Sequence, residues 1–372
     1  MKTIFRAVFK LLALITAGVL VIALPLSLTL FNLGEVLFSE AAVEKISNSV
    51  VVDSDLVPGT LDFITNQRAE KISQEIETQR ENNQLNLFYL IEGMEIEDWR
   101  NMREELLTDD ILKTWISESV TGFFSWLNTP QTKPEIQWNM QPLIERMKGP
   151  PGRRVVNTYY NSLPDCTDLQ MEEMKTDPGD PLPRVAMVEN LCKLSTFPHQ
   201  EQIKVYQEIL SMAVDRMPGE YDLTQRLVEE DGALNKPFAV KKNLRSYRRG
   251  LALILLAPLT LLLLILALGV RSLEELGLWW GIPLVGGSLI AFVTSLLVRP
   301  LWTGILSERM PETIPATSVL YHELISGSAR LIGEVFNPLR WQSFLILLFG
   351  LGLLVMGFVI RMGKSPDRGP GD

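Results

Sequence analysis

The sequence predicts a mainly α protein: a four-helix transmembrane region plus a mostly helical extracytoplasmic domain with minor β. Three observations predict it. Four uncharged apolar runs each reach the roughly 20 residues that a helix needs to cross a bilayer. A charged stretch, residues 35–236, separates the first run from the other three. The chain's two cysteines, Cys166 and Cys192, both fall in that stretch.

The runs are residues 11–34, between Lys10 and Glu35, and 250–270, between Arg249 and Arg271. They continue with 276–298, between Glu275 and Arg299, and 341–360, between Arg340 and Arg361. Helix is the expected form, because lipid offers nothing to a free backbone N–H or C=O. The first run reads as an uncleaved anchor. The alternative is a signal peptide with Lys2, Arg6 and Lys10 as its basic start and Ser39, Glu40 and Ala41 at the cleavage site, but the uncharged run exceeds the usual apolar core of roughly 7–15 residues.

The basic N-terminus keeps that end inside, and the first span usually dominates orientation. The C-terminal Arg361, Lys364 and Arg368 then lie inside as well. Other charges disagree. Lys241, Lys242, Arg245, Arg248 and Arg249 precede the second span, and Arg299, Arg309, Arg330 and Arg340 lie between the third and fourth. Their tally favours the opposite orientation, although long domains translocate largely regardless of charge. The cysteines favour an outside domain if they form a disulfide, which belongs to an oxidising compartment. Two unrelated buried thiols are the alternative. The loop-like segment Asp177-Pro178-Gly179-Asp180-Pro181 between them is worth closing, by roughly 3 kcal/mol in the chain-entropy model.

The expected division is therefore an N-terminal anchor (1–34), an acidic extracytoplasmic domain (35–236) and a basic juxtamembrane helix continuous with the second span (237–270). A short inner link and third span (271–298), an outer amphipathic link (299–340) and the fourth span with a short tail (341–372) complete it. The acidic domain holds 36 acidic and 19 basic residues, so it argues against nucleic acid as a partner. Membrane lipids are the expected partners, together with a protein partner or a second copy of the chain.

Within the domain, Leu112, Trp115, Ile116, Val120, Phe123 and Leu127 recur at helical spacing after a Thr108 N-cap. Further helices are expected at 198–216, at 59–80 with Leu61, Ile64, Ala69 and Ile72 inward, and at 95–107. Ile136, Trp138 and Met140 alternate with polar residues and predict a short strand. In the outer link, Leu320, Leu324, Leu331 and Val335 predict an amphipathic helix. The five basic residues from Lys241 to Arg249 sit on a helix without a breaker, and are expected to bind lipid phosphates or to couple the domain to the second span. Gly287, Ala291 and Ser295, four residues apart, mark a helix-packing face, used inside this chain's bundle or in a dimer.

Chemistry is sparse. The two histidines, His199 and His322, have no neighbours at metal-ligand spacing, and His199 is expected at the surface. No phosphate loop or nucleophile elbow occurs. Asp165, Asp168, Glu172, Glu173, Asp177 and Asp180 lack calcium-loop spacing and read as a solvated face. No catalytic residue, metal or cofactor is expected. No span carries a charge or a histidine, which lowers the case for an ion-coupled transporter.

The string from Arg271-Ser272-Leu273 to Leu278-Trp279-Trp280-Gly281-Ile282-Pro283-Leu284, with Leu163-Pro164-Asp165-Cys166, resembles a group of uncharacterised bacterial four-span membrane proteins with a large external domain. The resemblance is one of layout. It implies the cell membrane as location and brings no activity. The sequence thus favours a non-enzymatic multi-pass envelope protein presenting an external binding or interaction domain. A transporter or channel component is the runner-up, and an extracytoplasmic hydrolase the third reading.

Overall fold

In a computed structural model, residues 2–76, 94–173, 192–228, 236–310 and 314–363 are described. The described residues are mainly helical, with one small sheet. Four helices are long and apolar enough to cross a membrane, which suggests a multi-pass membrane protein. These are α1 (Lys2–Leu37), α11 (Pro237–Gly269), α12 (Leu273–Arg309) and α13 (Val319–Gly363). Each is longer than its apolar run. The helix expected on the link after the third span is the N-terminal part of α13, and α12 likewise runs on past Val298 to Arg309. Pro300 and Pro338 lie inside these helices without ending them. The basic segment is continuous with the second span, as its lack of a breaker predicted.

The chain forms two compact units: Met1–Val43, Lys236–Glu308 and Ser328–Asp372 make a bundle unit, and Glu44–Asn235 with Arg309–Gly327 make a domain unit. Leu20, Leu24, Leu28, Ile265, Leu284, Ala291 and Leu339 form the buried centre of the bundle unit. Lipid is as apolar as leucine, so helix association in a bilayer depends on close packing and interhelical hydrogen bonds. Glycines provide the close packing. A Cβ on Gly277 would lie 2.5 Å from the Leu353 carbonyl oxygen and 2.8 Å from the Gly357 Cα, so α12 and α13 meet backbone to backbone. A Cβ on Gly34 would lie 2.2 Å from Leu251, where α1 meets α11.

One end of the bundle is charged. Lys10 of α1 lies 3.8 Å from Glu275, and Arg361 of α13 lies 3.8 Å from Glu274, both acids being in the first turn of α12. The start of α1, the start of α12 and the end of α13 therefore share one end of the bundle.

The domain unit contains α2 (Glu40–Val51, most of it), α3 (Leu56–Ile76), α4 (Ile96–Leu106) and α5 (Asp109–Asn128). Then follow β1 (Gln137–Asn139), α6 (Gln141–Lys148), α7 (Pro150–Ser162) and α8 (Asp168–Glu173). The unit continues with α9 (His199–Asp215), β2 (Glu220–Asp222) and α10 (Leu223–Val228). The two strands pair antiparallel, with Trp138 opposite Tyr221. Trp138 stacks on Trp115 of α5 at 5.0 Å, and its indole N–H donates to the Ser119 hydroxyl. Gly122 of α5 is required at this crossing, since a Cβ would lie 2.5 Å from the Glu135 carbonyl oxygen.

Several faces differ from the sequence expectation. In α5, Phe124 and Trp126 are buried where Ile116 and Phe123 are only half-buried. Thr108 stands at the N-cap, but its side chain makes no capping hydrogen bond. In α3, Leu61 and Ile64 face outward, whereas Pro58, Gly59 and Thr65 are buried. The Gly59 side of the helix packs closely: a Cβ there would lie 3.0 Å from the Leu320 backbone nitrogen. In α13, Leu331 is exposed while Tyr321, Ile332 and Val335 are buried. Ala69, Ile72, the segment 177–181 and the carboxylates of Glu172 and Glu173 lie outside the described side chains, as does the tail from 364 onward.

Candidate functional site

Three helices of the domain unit, α4, α7 and α9, line an apolar cavity of about 230 Å³ that is open to the surface. Each helix has a local reason to stand where it does. The backbone N–H of Glu95 donates to the Asp98 carboxylate, fixing the start of α4. At the start of α7 the chain turns so tightly that a Cβ on Gly152 would lie 1.9 Å from the Met147 carbonyl oxygen. The start of α9 is tied down by Gln202, which is fully buried. Its amide donates to the carbonyls of Leu194 and Phe197, and its own oxygen accepts from the Leu194 N–H.

Met94, Trp99 and Met102 line the cavity on the α4 side, Val155, Val156 and Tyr159 on the α7 side. Tyr206, Ile209, Leu210 and the exposed Ala213 line it on the α9 side. No lining residue carries a charge. Tyr159 and Tyr206 meet edge to face at 5.6 Å. Burial pushes the Tyr206 phenol up to about 12, and pushes the Tyr159 phenol higher still, so both remain protonated near neutral pH. The Tyr159 hydroxyl and the Trp99 indole N–H are buried with no hydrogen-bond partner and do not reach the pocket surface, which is almost wholly apolar.

The disulfide packs into the core that Val156 and Tyr206 of the cavity lining belong to. Cys166 and Cys192 are bonded, and the Cys166 N–H donates to the Lys193 carbonyl at 3.0 Å. Cys192, Tyr160, Leu194 and Val205 share one buried core. His199 is exposed, as expected, yet its Nδ1 lies 2.6 Å from the hydroxyl of buried Tyr160. Asp165 and Asp168 are exposed. Among the described residues no group of three or more His, Cys, Asp or Glu side chains is placed to hold a metal.

The basic residues lie along α11. Phe238, Lys241, Lys242, Arg245, Ser246 and Arg249 border a shallow groove on it. Lys241 is nevertheless buried, and Lys242, Arg248 and Arg249 are exposed. The Arg248 guanidinium lies 6.0 Å from the Phe38 ring, and the Tyr247 hydroxyl donates to the Leu30 carbonyl, so this part of α11 rests on the end of α1.

The small-residue face of α12 is also placed. Ala291 and Ser295 are buried, and a Cβ on Gly287 would lie 3.1 Å from Leu24 and 3.2 Å from the Val21 carbonyl oxygen of α1. That carbonyl is the one Pro25 deprives of its helical donor. Trp302 and Trp341, at the ends of the spans, are exposed. Trp279 lies against Gly269, and Trp280 donates to the Leu262 carbonyl.

Sequence reasoning missed four features. Asn32 and Gln342 exchange two amide hydrogen bonds, at 2.7 and 3.1 Å, between α1 and α13. Both are uncharged, so a search for charged residues in the spans passed over them. Gly277 and Gly281 stand four apart, a signal as clear as the one at Gly287. Gly350 and Gly357 of α13, seven residues apart, are their partners. Gln202 and the pair Trp99 and Tyr159 gave no sequence signal. No protein-family model matches the chain, and no curated protein or solved structure matches it.

Proposed function

We propose that this chain is a multi-pass envelope protein that presents a non-enzymatic binding domain outside the cytoplasm, and that the cavity between α4, α7 and α9 is its binding site. The cavity carries this reading. Its wall is apolar and aromatic throughout, a chemistry suited to burying a ligand rather than to moving protons. Two methionines let such a wall adapt to what enters it. The Cys166–Cys192 bridge supports the outside location, because disulfides persist in oxidising compartments. The basic residues before the first span support the same orientation.

The binding test uses the full chain extracted directly into lipid nanodiscs, with small molecules released by organic solvent and compared by mass spectrometry. Wild type should retain an apolar compound that Ala213→Trp, which fills the cavity, does not. Identical extracts from the two proteins would overturn the reading. For the location, Ser195→Cys should react with a membrane-impermeant maleimide in intact cells, and Arg271→Cys should not.

A further inference from the structure

At the charged end of the bundle unit, α1, α11 and α12 leave an open cavity of about 350 Å³ between them. Phe9 and Lys10 border it from α1, Leu268 and Gly269 from the end of α11, Arg271 from the link and Glu275 from the first turn of α12. The helices pack closely beside it: a Cβ on Gly269 would lie 3.1 Å from Ala13 and 3.2 Å from the Trp279 ring. Charges of both signs reach the surface here. The Lys10 side chain is 60% exposed, and its ammonium stands 3.8 Å from the Glu275 carboxylate, itself 30% exposed. That carboxylate is fixed in place. It accepts from the Arg271 backbone N–H at 2.8 Å, and the Glu275 N–H donates to the Ser272 hydroxyl. The exposed Arg271 uses one guanidinium nitrogen on the Ala267 and Val270 carbonyls at the end of α11. Guanidinium has five N–H donors and ammonium three, so most of these donors make no hydrogen bond among the described residues.

From this we infer that the cavity binds a phospholipid whose head group carries a primary ammonium, with the phosphodiester held by Lys10 and Arg271 and the ammonium beside Glu275. The site is independent of the cavity in the domain unit. Its depth fits a lipid. The apolar run of α1 starts at Leu11 and that of α11 stops at Val270, so the cavity lies where hydrocarbon gives way to head groups. Basic pockets between spanning helices at that level bind lipid phosphates, and both cations form charge-assisted hydrogen bonds to phosphate oxygens. Two cations and one carboxylate leave a net charge of +1, which one phosphodiester neutralises. The carboxylate selects further: it repels a second negative group and accepts from an ammonium. Phe9 and Leu268 offer an apolar edge to the start of an acyl chain.

The experiment compares three lipids with the same diazirine-bearing acyl chain on the full chain in nanodiscs: phosphatidylethanolamine, phosphatidylglycerol and diacylglycerol, which has no phosphate. Crosslinks at Phe9 and Leu268 are counted relative to those at Val359, an exposed residue of α13 near the same end of the bundle. The ethanolamine lipid should exceed diacylglycerol by at least about fivefold, as two cations near a phosphate imply. It should exceed the glycerol lipid by about two- to fivefold, the reach of one exposed ion pair. Lys10→Gln combined with Arg271→Gln should bring both phospholipids down to the diacylglycerol level. Glu275→Gln, which keeps an acceptor for the Arg271 N–H, should retain the phosphate dependence and erase the ethanolamine preference. Equal labelling of wild type by all three lipids would overturn the site and leave Lys10 and Arg271 as snorkelling boundary residues. Phospholipids equal to each other and above diacylglycerol would overturn the ammonium and the role of Glu275. An ethanolamine preference that survives Glu275→Gln would overturn that role as well.

Discussion

Where α12 crosses α13, Gly277 lies against Gly357 and no side chain separates the two backbones; where α5 crosses β1, two tryptophans stack face to face. The first crossing belongs to the bundle unit and the second to the domain unit. The difference follows from the solvent each suits. Large aromatic side chains removed from water gain roughly 25 cal/mol per Å² of apolar area. Between helices in lipid that gain is absent, so contact must come from backbones drawn close and from hydrogen bonds that lipid cannot supply. The bundle unit accordingly holds a glycine seam and the Asn32–Gln342 amide pair, and the domain unit holds aromatic cores and a disulfide.

The strongest test of this contrast is Gly277→Val. Its Cβ meets the Leu353 carbonyl oxygen at 2.5 Å, a backbone atom that cannot swing aside. Overpacking of this kind costs about 1–3 kcal/mol and at times more. Unfolding in mixed micelles should show the bundle destabilised by at least that much. Gly352→Ala in α13, with nothing within 4 Å of its Cβ, should be silent. Equal effects at both positions would mean the seam is not what holds α12 to α13.

Removing the disulfide should act only on the other unit. Cys166→Ala with Cys192→Ala opens a loop with a sequence separation of 26, for an expected loss of about 3 kcal/mol in the domain unit. Hydrogen exchange should quicken in α7 and α9 and stay unchanged in α12. Gln202→Leu probes the same core by a different route. It leaves the Leu194 N–H and C=O and the Phe197 C=O without their partner, at a cost of about 1–3 kcal/mol. Chemical denaturation of the domain unit would measure it, and a neutral result would show those groups are satisfied otherwise.

The amide pair should matter less. Asn32→Val removes two interhelical hydrogen bonds from the bundle, and such bonds in membranes average about 0.6 kcal/mol each. A double-mutant cycle with Gln342→Val isolates the coupling, and additivity of the two variants would dismiss the pair. Smallest is the effect of pH at Asp55. Its bidentate partner Arg100, with bonds of 2.7 and 3.1 Å, holds the carboxyl below its ordinary value. A depressed folded pKa contributes stability that is full above the unfolded value near 4 and is lost as pH falls through the lower folded one. Both partners are about one-third exposed, so solvent screening limits the gain to less than ~1 kcal/mol. Asp55→Asn should flatten the acid limb of the stability profile slightly, and an unchanged limb would assign it to other carboxylates.

Much of the architecture was legible because it rests on periodicity and run length. The four long helices, the strand at Trp138, α5 and α9 are all readable without a partner in view. The cysteine pair was legible as the only two thiols in the chain, although a disulfide and two separate thiols remained equal in kind until Cys166 and Cys192 were brought together. Exposure was harder. Leu61 and Ile64 are apolar at helical spacing and still face outward, while Pro58, Gly59 and Thr65 are the buried positions of α3.

The sequence by itself determined where helices run, how many are apolar enough to span, and that the charged region carries the cysteines. Those properties are set by each segment's own composition and period. Only the tertiary structure decided which glycines face each other, which amides pair and which side chains wall the cavity. Gly277 meets Gly357 across 80 positions of chain, and Trp99 meets the wall of α7 and α9 across still other separations. A period reports only the face a helix turns inward. What that face meets depends on how the other helices pack.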